Sequence, residues 1–485
     1  MNTPVRRLAA VVALMFLALM ASATSVQFFQ APDLNADGRN VRTVYREFGR
    51  DRGPIIVAGD AVASSTPVDD VYGYLRSYTG GPLYAPVTGY FAAALSSLTG
   101  LEAEANSVLN GTDDSLLVQR IQDLVTGSQP QGGSVELTID PAAQQAAWDA
   151  LGDQRGAVVA LDPSTGAILA LVSKPSYDPN LLAVHSGTEA QAAYDALLAD
   201  PGNPLTNRAI AGNLYPPGSS FKLVVAAALL ESGDYDSQSQ VPAPAQLQLP
   251  QSSQVVSNPG GIPCTDNPTV PLVYALQESC NTPFAAMGME LGEDALREQA
   301  EAFGFGRELD IPLTVTPSVY PEGLDAAQTA MTAIGQYDVI ASPLQMAMVS
   351  AAIANDGVLM RPYLVATERG PDLDVLGTTE PSELGRSVSA ETAAELTAMM
   401  VNVVEQGTGT NARISGVTVA GKTGSAQAGE GASPHAWFTS FAPAEDPRIA
   451  VAVVVENGGS EGDLASGGTT AAPIARAVLE AVLTP

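Results

Sequence analysis

An apolar segment at the amino terminus limits where the rest of this chain can fold. Arg6 and Arg7 precede the uncharged residues 8–29, a stretch of 22 residues. About 20 apolar residues are enough for a helix to cross a bilayer, and basic residues before a span predict a cytoplasmic amino end. We therefore predict that residues 1–30 are a cytoplasmic tip and a transmembrane anchor of a single-pass cell-membrane protein. Everything beyond them is expected on the extracytoplasmic side.

A cleaved signal peptide is the alternative interpretation of the same segment. Residues 21–23 (Ala-Ser-Ala) follow the apolar core and fit the small-residue pattern of a cleavage site. Val26, Phe28 and Phe29 favour a retained anchor, because they extend the stretch to spanning length. Both interpretations export the remainder of the chain.

The charge and the metal-ligating residues of the chain exclude some classes of function. Over 485 residues, 52 acidic and 22 basic side chains give a formal net charge of −30, which repels a phosphate backbone. Two histidines and two cysteines are too few for a zinc or iron–sulfur site built from those ligands. We therefore predict no nucleic-acid partner, no metal and no cofactor.

Apolar periodicity predicts an α+β protein with two parts after the anchor. Residues 31–132 are predicted to form a small domain, with a strand at 53–59 and helices at 96–110 and 115–125. Residues 133–485 are predicted to form a larger domain of helices packed on an antiparallel sheet. Its predicted elements are a strand at 135–139, a helix from Pro141 capped by Asp140, a hairpin at 157–161 and 167–172, a buried helix at 223–230, strands at 417–420, 436–441 and 449–455, and a helix at 471–483.

Three short motifs of the larger domain occur in the order expected of one catalytic site. They are Ser219-Ser220-Phe221-Lys222, Ser279-Cys280-Asn281 and Lys422-Thr423-Gly424. Each motif alone is more often a helix cap or an ordinary turn. Together, S-x-x-K, S-x-N and K-T-G are typical of penicillin-recognising serine acyltransferases. Lysine occurs at three positions in the chain, and two of the three lie in these motifs.

The first motif predicts a nucleophile and its base. Residues 216–218 (Pro-Pro-Gly) end a loop, so Ser219 is expected at the amino end of a helix, where the dipole favours negative charge. Lys222 lies three residues later on the same helix face. A buried lysine can become a neutral amine and accept the serine proton, whereas an arginine cannot.

The other two motifs predict a proton relay and substrate contacts. Ser279 supplies a relay hydroxyl and Asn281 a side-chain amide. Lys422 and Thr423, expected at the end of a strand, can hold a substrate carboxylate. Gly424 is predicted to allow an extended peptide to lie close to the strand. The backbone N–H groups of Ser425 and Ser219 are predicted to form an oxyanion hole.

We exclude one other feature as a dinucleotide-binding site, and we interpret the two histidines as non-catalytic. Residues 407–409 (Gly-Thr-Gly) with Ala412 imitate a dinucleotide-binding fingerprint, but no preceding strand or βαβ unit surrounds them. His185 and His435 lack partners for a catalytic triad.

Over essentially its whole length, the chain resembles the class B penicillin-binding proteins. The segments that carry the resemblance, besides the three motifs, are residues 2–7, 84–90, 161–166, 334–336, 342–347, 407–409 and 420–424. The resemblance implies a β-lactamase-like transpeptidase domain acting on D-alanyl-D-alanine stem peptides, and a smaller amino-terminal pedestal domain without glycosyltransferase activity. Ser219 is then the acylated nucleophile, Lys222 its base and Ser279 the proton shuttle. Asn281 binds the donor's amide, and Lys422 with Thr423 binds its carboxylate. Ser425 departs from the threonine usual in the family.

The motifs leave alternatives within and outside this reaction. A D,D-carboxypeptidase shares them and passes the acyl group to water, while a β-lactamase needs a deacylating carboxylate motif that we do not find between Ser279 and Lys422. A non-catalytic β-lactam sensor or wall-binding scaffold is a different class. The expected partners are stem peptides, β-lactam antibiotics and membrane proteins of wall synthesis, such as a glycosyltransferase.

The two cysteines predict a disulfide beside the site. Cys264 and Cys280 lie in the exported part, where oxidation is permitted, and Cys280 is the middle residue of the second motif. The bridge would pin the Gly- and Pro-rich residues 258–263 against that motif. Two unlinked cysteines are the alternative.

Overall fold

The amino-terminal segment forms one long exposed helix. The computed structural model describes residues 3–30, 48–116, 131–212, 214–427, 429 and 431–483. In it, α1 (Thr3–Thr24) continues into a π-helical turn, Ser25–Phe29. Among the described residues, Thr3–Phe28 is the one helix long and apolar enough to cross a membrane.

The remaining elements alternate between helices and short strands. The α-helices are α2 (Gly81–Thr88), α3 (Leu101–Glu104), α4 (Asn106–Leu109), α5 (Pro141–Leu151), α6 (Asn180–Ala183), α7 (Gly187–Ala199), α8 (Lys222–Glu231), α9 (Leu272–Gln277), α10 (Asn281–Leu291), α11 (Glu293–Ala302), α12 (Ala326–Thr332), α13 (Pro343–Ala354), α14 (Ala390–Glu405) and α15 (Ala472–Leu483). The strands are β1 (Ile55–Val57), β2 (Asp60–Pro67), β3 (Tyr74–Tyr78), β4 (Phe91–Ala92), β5 (Ser97–Leu98), β6 (Ser134–Leu137), β7 (Gly156–Leu161), β8 (Ile168–Lys174), β9 (Gln240–Pro242), β10 (Gln246–Gln248), β11 (Val255–Ser257), β12 (Thr269–Pro271), β13 (Val358–Met360), β14 (Val365–Arg369), β15 (Val375–Thr378), β16 (Glu383–Arg386), β17 (Ala420–Ala426), β18 (His435–Ala442) and β19 (Ile449–Val455).

A five-stranded antiparallel sheet is the centre of the larger part, as predicted. Its order is β17-β18-β19-β7-β8, so the hairpin β7–β8 and the strands β18 and β19 confirm their predictions. The prediction of a strand at 417–420 was wrong, because β17 runs over Ala420–Ala426. Its two glycines, Gly421 and Gly424, weaken the sequence signal for a strand, whereas pairing with β18 stabilises it.

Both faces of this sheet are buried under helices. Along β19, Val451 and Val453 belong to the core formed with α5 and α15, while Ala452 and Val454 face the core that contains α8 and α13. This alternation follows from the two-residue period of a strand. The helix α8 was predicted as buried and has nine of its ten residues buried.

The helix α5 has a defined cap at each end. Asp140 accepts hydrogen bonds from the N–H groups of Ala142 (2.7 Å) and Ala143 (3.0 Å), which confirms the predicted cap. At the other end, Lys174 Nζ donates to Trp148 O (2.8 Å) and Gly152 O (2.5 Å). The third lysine of the chain therefore stabilises a helix carboxyl end.

A second, six-stranded sheet is assembled from distant parts of the chain. Its order is β15-β14-β6-β1-β2-β3, with β1 and β6 parallel and the other pairs antiparallel. Strands β1 to β3 come from the predicted small domain. The strands β6, β14 and β15 come from beyond residue 132, so the hydrogen-bonded sheet continues across the predicted boundary.

The predicted helices of the small domain differ from those observed. Residues 96–110 form β5 and the one-turn helices α3 and α4. Gly100 interrupts them with φ +61°, and a Cβ there would lie 2.6 Å from Gly89 N, so close backbone packing replaces a continuous helix. Most of the predicted helix at 115–125 lies outside the described residues.

An ion network fixes this smaller part. Glu102 is fully buried and accepts hydrogen bonds from Arg52 Nε (2.5 Å), Arg76 Nε (2.7 Å) and Tyr78 Oη (3.1 Å). Burial alone would raise the pKa of Glu102, but the two guanidinium groups outweigh it and hold the pKa below its usual value.

Candidate active site

Ser219 lies in a tight turn that packs directly on strand β17. It belongs to the 3-10 turn Gly218–Phe221, which leads into α8 at Lys222. Gly218 has φ +54°, and its N–H donates to Gly335 O (2.9 Å). A Cβ at Gly218 would lie 2.7 Å from Ser425 O. The turn can therefore approach β17 so closely only with glycine at this position.

The two motif lysines are buried and meet on Ser279. Lys222 Nζ donates to Ser279 O (2.7 Å) and to Asn281 Oδ1 (2.8 Å). Lys422 Nζ donates to Ser279 Oγ (2.8 Å) and to Thr423 O (2.9 Å). Both lysine side chains are completely shielded from solvent. The three motifs are therefore joined by one set of hydrogen bonds.

Burial makes both amines unusually weak bases. It lowers the pKa of Lys222 well below the ordinary lysine value, and the nearby Lys422 lowers it further. Burial also lowers the pKa of Lys422 to about 7. A neutral amine near physiological pH can accept a proton, which a permanently charged group cannot.

Ser279 has a strained backbone that directs both of its oxygens towards the lysines. Its φ is +58°, in the left-handed region, and such a conformation costs a non-glycine residue about 1–3 kcal/mol. The turn is held by hydrogen bonds from Ser279 N to Leu276 O (3.2 Å) and from Cys280 N to Ala275 O (2.9 Å). Strain of this kind is common where a site is preorganised.

Asn281 is held on both sides of its amide. Its Oδ1 accepts from Lys222, while its Nδ2 donates to Ser257 O (2.8 Å). The backbone N–H of Asn281 donates to Asn258 Oδ1 (2.8 Å), and so does that of Thr282 (3.0 Å). Asn258 therefore caps α10 from a separate loop. It was not predicted, because no motif or spacing marks a residue that acts through the tertiary position of its loop.

A disulfide joins that loop to the second motif. Cys264 and Cys280 are bonded, with their Cα atoms 5.8 Å apart, which confirms the predicted bridge. Cys280 is buried behind Ser279 and Asn281. The loop that carries Ser257 and Asn258 is thus covalently tied to the site.

The third motif is placed differently from its prediction. The residues 422–424 lie inside β17 rather than at its end. The amine of Lys422 is buried and donates to Ser279 and to a backbone carbonyl. A Cβ at Gly424 would lie 2.8 Å from Pro217 O and 3.1 Å from Ser220 N. Glycine is thus required here by the packing of the Ser219 turn, whereas we expected it to make room for a peptide.

The strand's hydroxyl groups face a cavity of about 420 Å³. Its walls include the predicted residues Ser219, Ser279, Asn281, Thr423, Gly424 and Ser425. They also include residues that were not assigned to the site: Pro259, Ile334, Gln336, Thr408, Ser466, Gly467 and Gly468. Thr408 Oγ1 lies 2.6 Å from Thr423 Oγ1. The sequence held a signal for three of these, since residues 334–336 and 407–409 are among those that carry the family resemblance.

The histidines have contacts away from this cavity. His185 Nδ1 lies 2.5 Å from Asp70 Oδ2, and His435 Nδ1 accepts from Asn457 N (3.1 Å). Over the described residues, no group of three or more His, Cys, Asp and Glu side chains is arranged to hold a metal ion.

These features together define a penicillin-recognising serine acyltransferase: a serine at a helix entrance, two buried lysines, a shared second serine and a strand bordering the cavity. Comparison with known proteins identifies the family within this class of acyltransferases. Residues 156–480 match the penicillin binding protein transpeptidase domain, and residues 52–135 match the penicillin binding protein A dimerisation domain. The chain belongs to the penicillin-binding protein transpeptidase family.

Similar proteins cover the whole chain. Peptidoglycan D,D-transpeptidase PbpA of Mycolicibacterium smegmatis is 47% identical over 100% of this chain and 99% of its own length. The protein of the same name from Mycobacterium tuberculosis is 45% identical, with the same coverage. Among solved structures, penicillin-binding protein A from M. tuberculosis as a ceftriaxone acyl-enzyme complex has a TM-score of 0.87 at 45% identity, covering 91% of this chain and 100% of that one. Its penicillin G acyl-enzyme complex has a TM-score of 0.85 at 44% identity, covering 90% and 100%.

Proposed function

We propose that this chain is a membrane-anchored peptidoglycan D,D-transpeptidase that cross-links stem peptides through an acyl-enzyme on Ser219. β-Lactams would inhibit it by acylating the same serine. The observation that carries the proposal is the meeting of two buried amines, Lys222 and Lys422, on Ser279 at the cavity that Ser219 lines. The names of the relatives and the acyl-enzyme complexes of the M. tuberculosis protein support the reaction class.

Acylation begins with transfer of the Ser219 proton to Lys222. When Lys222 is neutral, Ser279 O and Asn281 Oδ1 accept from its two N–H groups, so its lone pair remains for that proton. Ser219 Oγ attacks the carbonyl carbon of the penultimate D-alanine, and the backbone N–H groups of Ser219 and Ser425 stabilise the oxyanion. Tight packing of the Ser219 turn on β17 supports this pairing.

The leaving group then takes a proton from Ser279. The C–N bond to the terminal D-alanine breaks, and the nitrogen of that D-alanine receives the hydroxyl proton of Ser279. Lys422 Nζ then donates a proton to Ser279 Oγ along a 2.8 Å hydrogen bond. In the second half-reaction, an acceptor amine attacks the acyl carbon. The amine proton passes through Ser279 to Lys422, the ester bond to Ser219 Oγ breaks, and Lys222 returns the first proton to that oxygen. Every group then regains its starting state.

The substrate contacts are assigned to the side chains on the cavity wall. Asn281 binds the donor's amide with the second N–H of its Nδ2, since the first is used by Ser257 O. Thr423 donates to the terminal carboxylate, and Lys422 contributes its positive charge from behind the strand. Gly424 and Ser425 continue this wall.

A D,D-carboxypeptidase is the second candidate, because water can replace the acceptor amine at the same site. The described walls of the cavity carry no Asp or Glu, so no carboxylate base is at hand for water. This favours transfer to an amine over a β-lactamase reaction. The two buried amines that meet on Ser279 form acid–base machinery that a non-catalytic sensor or scaffold would not need.

The membrane and partner assignments extend the proposal. The helix Thr3–Phe28 is the anchor, and the two arginines at its start keep the amino end in the cytoplasm, so the cavity lies on the extracytoplasmic side. Residues 31–132 serve as a pedestal, whose sheet is completed by β6, β14 and β15, and the remainder of 133–485 serves as the catalytic domain. The match of residues 52–135 to a dimerisation domain supports a role for the pedestal in contacts with another protein chain. The partners that we propose are membrane proteins of wall synthesis, such as a glycosyltransferase.

The decisive experiment measures acylation of Ser219 and the cross-linking that depends on it. One sample of the full chain in detergent is incubated with benzylpenicillin, and a separate, untreated sample with strands whose stem peptides end in D-alanyl-D-alanine. We expect one penicilloyl adduct on Ser219, and cross-linked products from the second substrate. Ser219→Ala should abolish both. Ser220→Ala is the matched control, because Ser220 Oγ is buried on Pro217 O (2.6 Å). Released D-alanine without cross-links would identify a carboxypeptidase, and absence of any adduct would refute the acyltransferase assignment.

A further inference from the structure

Two threonine hydroxyls from separate parts of the fold form a pair on the cavity wall. Thr408 lies in the loop after α14, and Thr423 lies on β17. Their Oγ1 atoms are 2.6 Å apart, and both residues line the cavity. The pair is therefore a hydrogen bond that a substrate would meet directly.

The loop that presents Thr408 is held by close backbone contacts. Its N–H donates to Gln277 O (3.3 Å), and Gly407 packs against the same carbonyl, where a Cβ would clash. On the other side, Gly468 packs against Thr408 O just as closely. Asn411 Nδ2 donates to Gly468 O (2.8 Å). The hydroxyl of Thr408 is thus delivered by a fixed loop, at a position that sequence motifs did not assign.

The count of protons gives this pair a direction when a carboxylate binds. A hydroxyl has one proton to donate, and an ionised carboxylate only accepts. If Thr423 donated to Thr408, its proton would be unavailable to the carboxylate. When Thr408 donates to Thr423 Oγ1, the proton of Thr423 is free. A hydroxyl that accepts one hydrogen bond also becomes a better donor in the next.

The amine of Lys422 does not make the direct contact to the substrate carboxylate, because its hydrogen bonds go elsewhere. Lys422 Nζ donates to Ser279 Oγ and Thr423 O, and the side chain is fully buried behind the strand. No arginine or lysine belongs to the cavity walls in the described part of the chain. The hydroxyls therefore make the contact, while Lys422 acts through its charge.

We propose that Thr408 is a positioning residue for carboxylate recognition. Its O–H donates to Thr423 Oγ1 and so leaves the Thr423 O–H for the terminal carboxylate of the stem peptide, or for the ring carboxylate of a β-lactam. This inference rests on the proposed function, since it concerns the same cavity. It adds a specificity determinant that lies outside the three motifs.

The test compares a substrate that carries the carboxylate with one that does not. The rate of acylation of the full chain is measured with benzylpenicillin and with its methyl ester. Thr408→Val keeps the shape but removes the hydroxyl that orients the Thr423 O–H, and we expect roughly a tenfold loss with benzylpenicillin, the upper end of what one hydrogen bond between neutral groups contributes. The loss with the ester should be much smaller. Thr408→Ser should restore the wild-type rate.

Two further variants separate positioning from general damage. Thr410→Val alters the 3-10 turn Thr410–Ala412, which follows the Thr408 loop and lies outside the cavity walls, and should change neither rate. Thr408→Val combined with Thr423→Val should be no slower than Thr423→Val alone, because the two hydroxyls act in series.

The outcomes that would overturn the inference are distinct. Equal losses with the acid and the ester would show a structural role, and no loss with the acid would show that the hydroxyl is unused. Thermal unfolding of each variant identifies a folding defect, and Thr408→Ala then repeats the comparison without the branched side chain. A wild-type chain that forms no adduct at all would instead refute the proposed function.

Discussion

The strongest test of the chemistry is to remove the basicity of Lys222 while preserving what surrounds it. Lys222→Arg keeps a cation at the position and retains N–H donors for Ser279 O and Asn281 Oδ1. It has no lone pair to accept the Ser219 proton, because a guanidinium does not deprotonate in proteins. Lys222→Met is the complementary change, since it is neutral and close in length but also lacks the amine.

The expected loss follows from the role assigned to the amine. A positioned general base contributes about 10²- to 10⁴-fold to a rate, or about 3 to 5 kcal/mol of activation free energy. Each variant also has its own folding cost. The arginine buries a permanent charge where burial already lowers the pKa of Lys222, and the methionine leaves two buried acceptors unpaired. Only loss of the base is common to both.

Acylation by a fluorescent penicillin measures this loss, with circular dichroism as the check of folding. Lys174→Arg is the matched control, because Lys174 is the one lysine placed outside the site, at the end of α5. The wild-type rate should rise about tenfold per pH unit as Lys222 loses its proton, and level off below the ordinary lysine pKa, since burial favours the neutral amine. Near-wild-type acylation by Lys222→Arg or Lys222→Met would refute the assignment of Lys222 as base.

Three further outcomes are expected. The penicilloyl adduct on Ser219 should persist far longer than a β-lactamase turnover when followed by mass spectrometry, and rapid hydrolysis of many penicillin molecules would contradict the absence of a base for water. Replacing Cys264 and Cys280 by alanine should lower the free energy of unfolding by about 3 kcal/mol in the chain-entropy model, as measured by denaturant titration, whereas an unchanged midpoint would show that the bridge adds nothing. Asn258→Ala should slow acylation about tenfold by releasing two backbone N–H groups at the start of α10; Asn258→Asp, which keeps the acceptor, should slow it less, and equal rates for both variants would argue against the cap.

Much of the larger part could be predicted because its signals are local. The cap at Asp140, the hairpin β7–β8 and the buried helix α8 each follow from a few consecutive residues. The strand β17 did not, because two glycines hide a strand that exists through its pairing with β18. The six-stranded sheet is the extreme case, since Val365 pairs with Leu137 across most of the larger part of the chain.

The site divides in the same way. Spacing alone identified the three motifs, and their side chains surround one hydrogen-bonded centre in the structure. Spacing could not show that Lys422 faces Ser279, because the direction of a strand's side chains depends on its register. Asn258 and Thr408 act from loops 23 and 15 residues from their partners, Asn281 and Thr423. Such contacts are set by tertiary packing, which one sequence does not display.

The six-stranded sheet can be completed only late in the synthesis of the chain. A ribosome releases β1, β2 and β3 first, but their neighbour β6 follows only after residue 134, and β14 and β15 only after residue 365. Until then, β6 has no partner on its far side and presents open backbone groups. The sheet formed by β1, β2, β3 and β6 therefore remains incomplete while more than two hundred further residues are synthesised. A fragment cut at residue 132 would be a sheet with half of its strands missing, rather than a separable module.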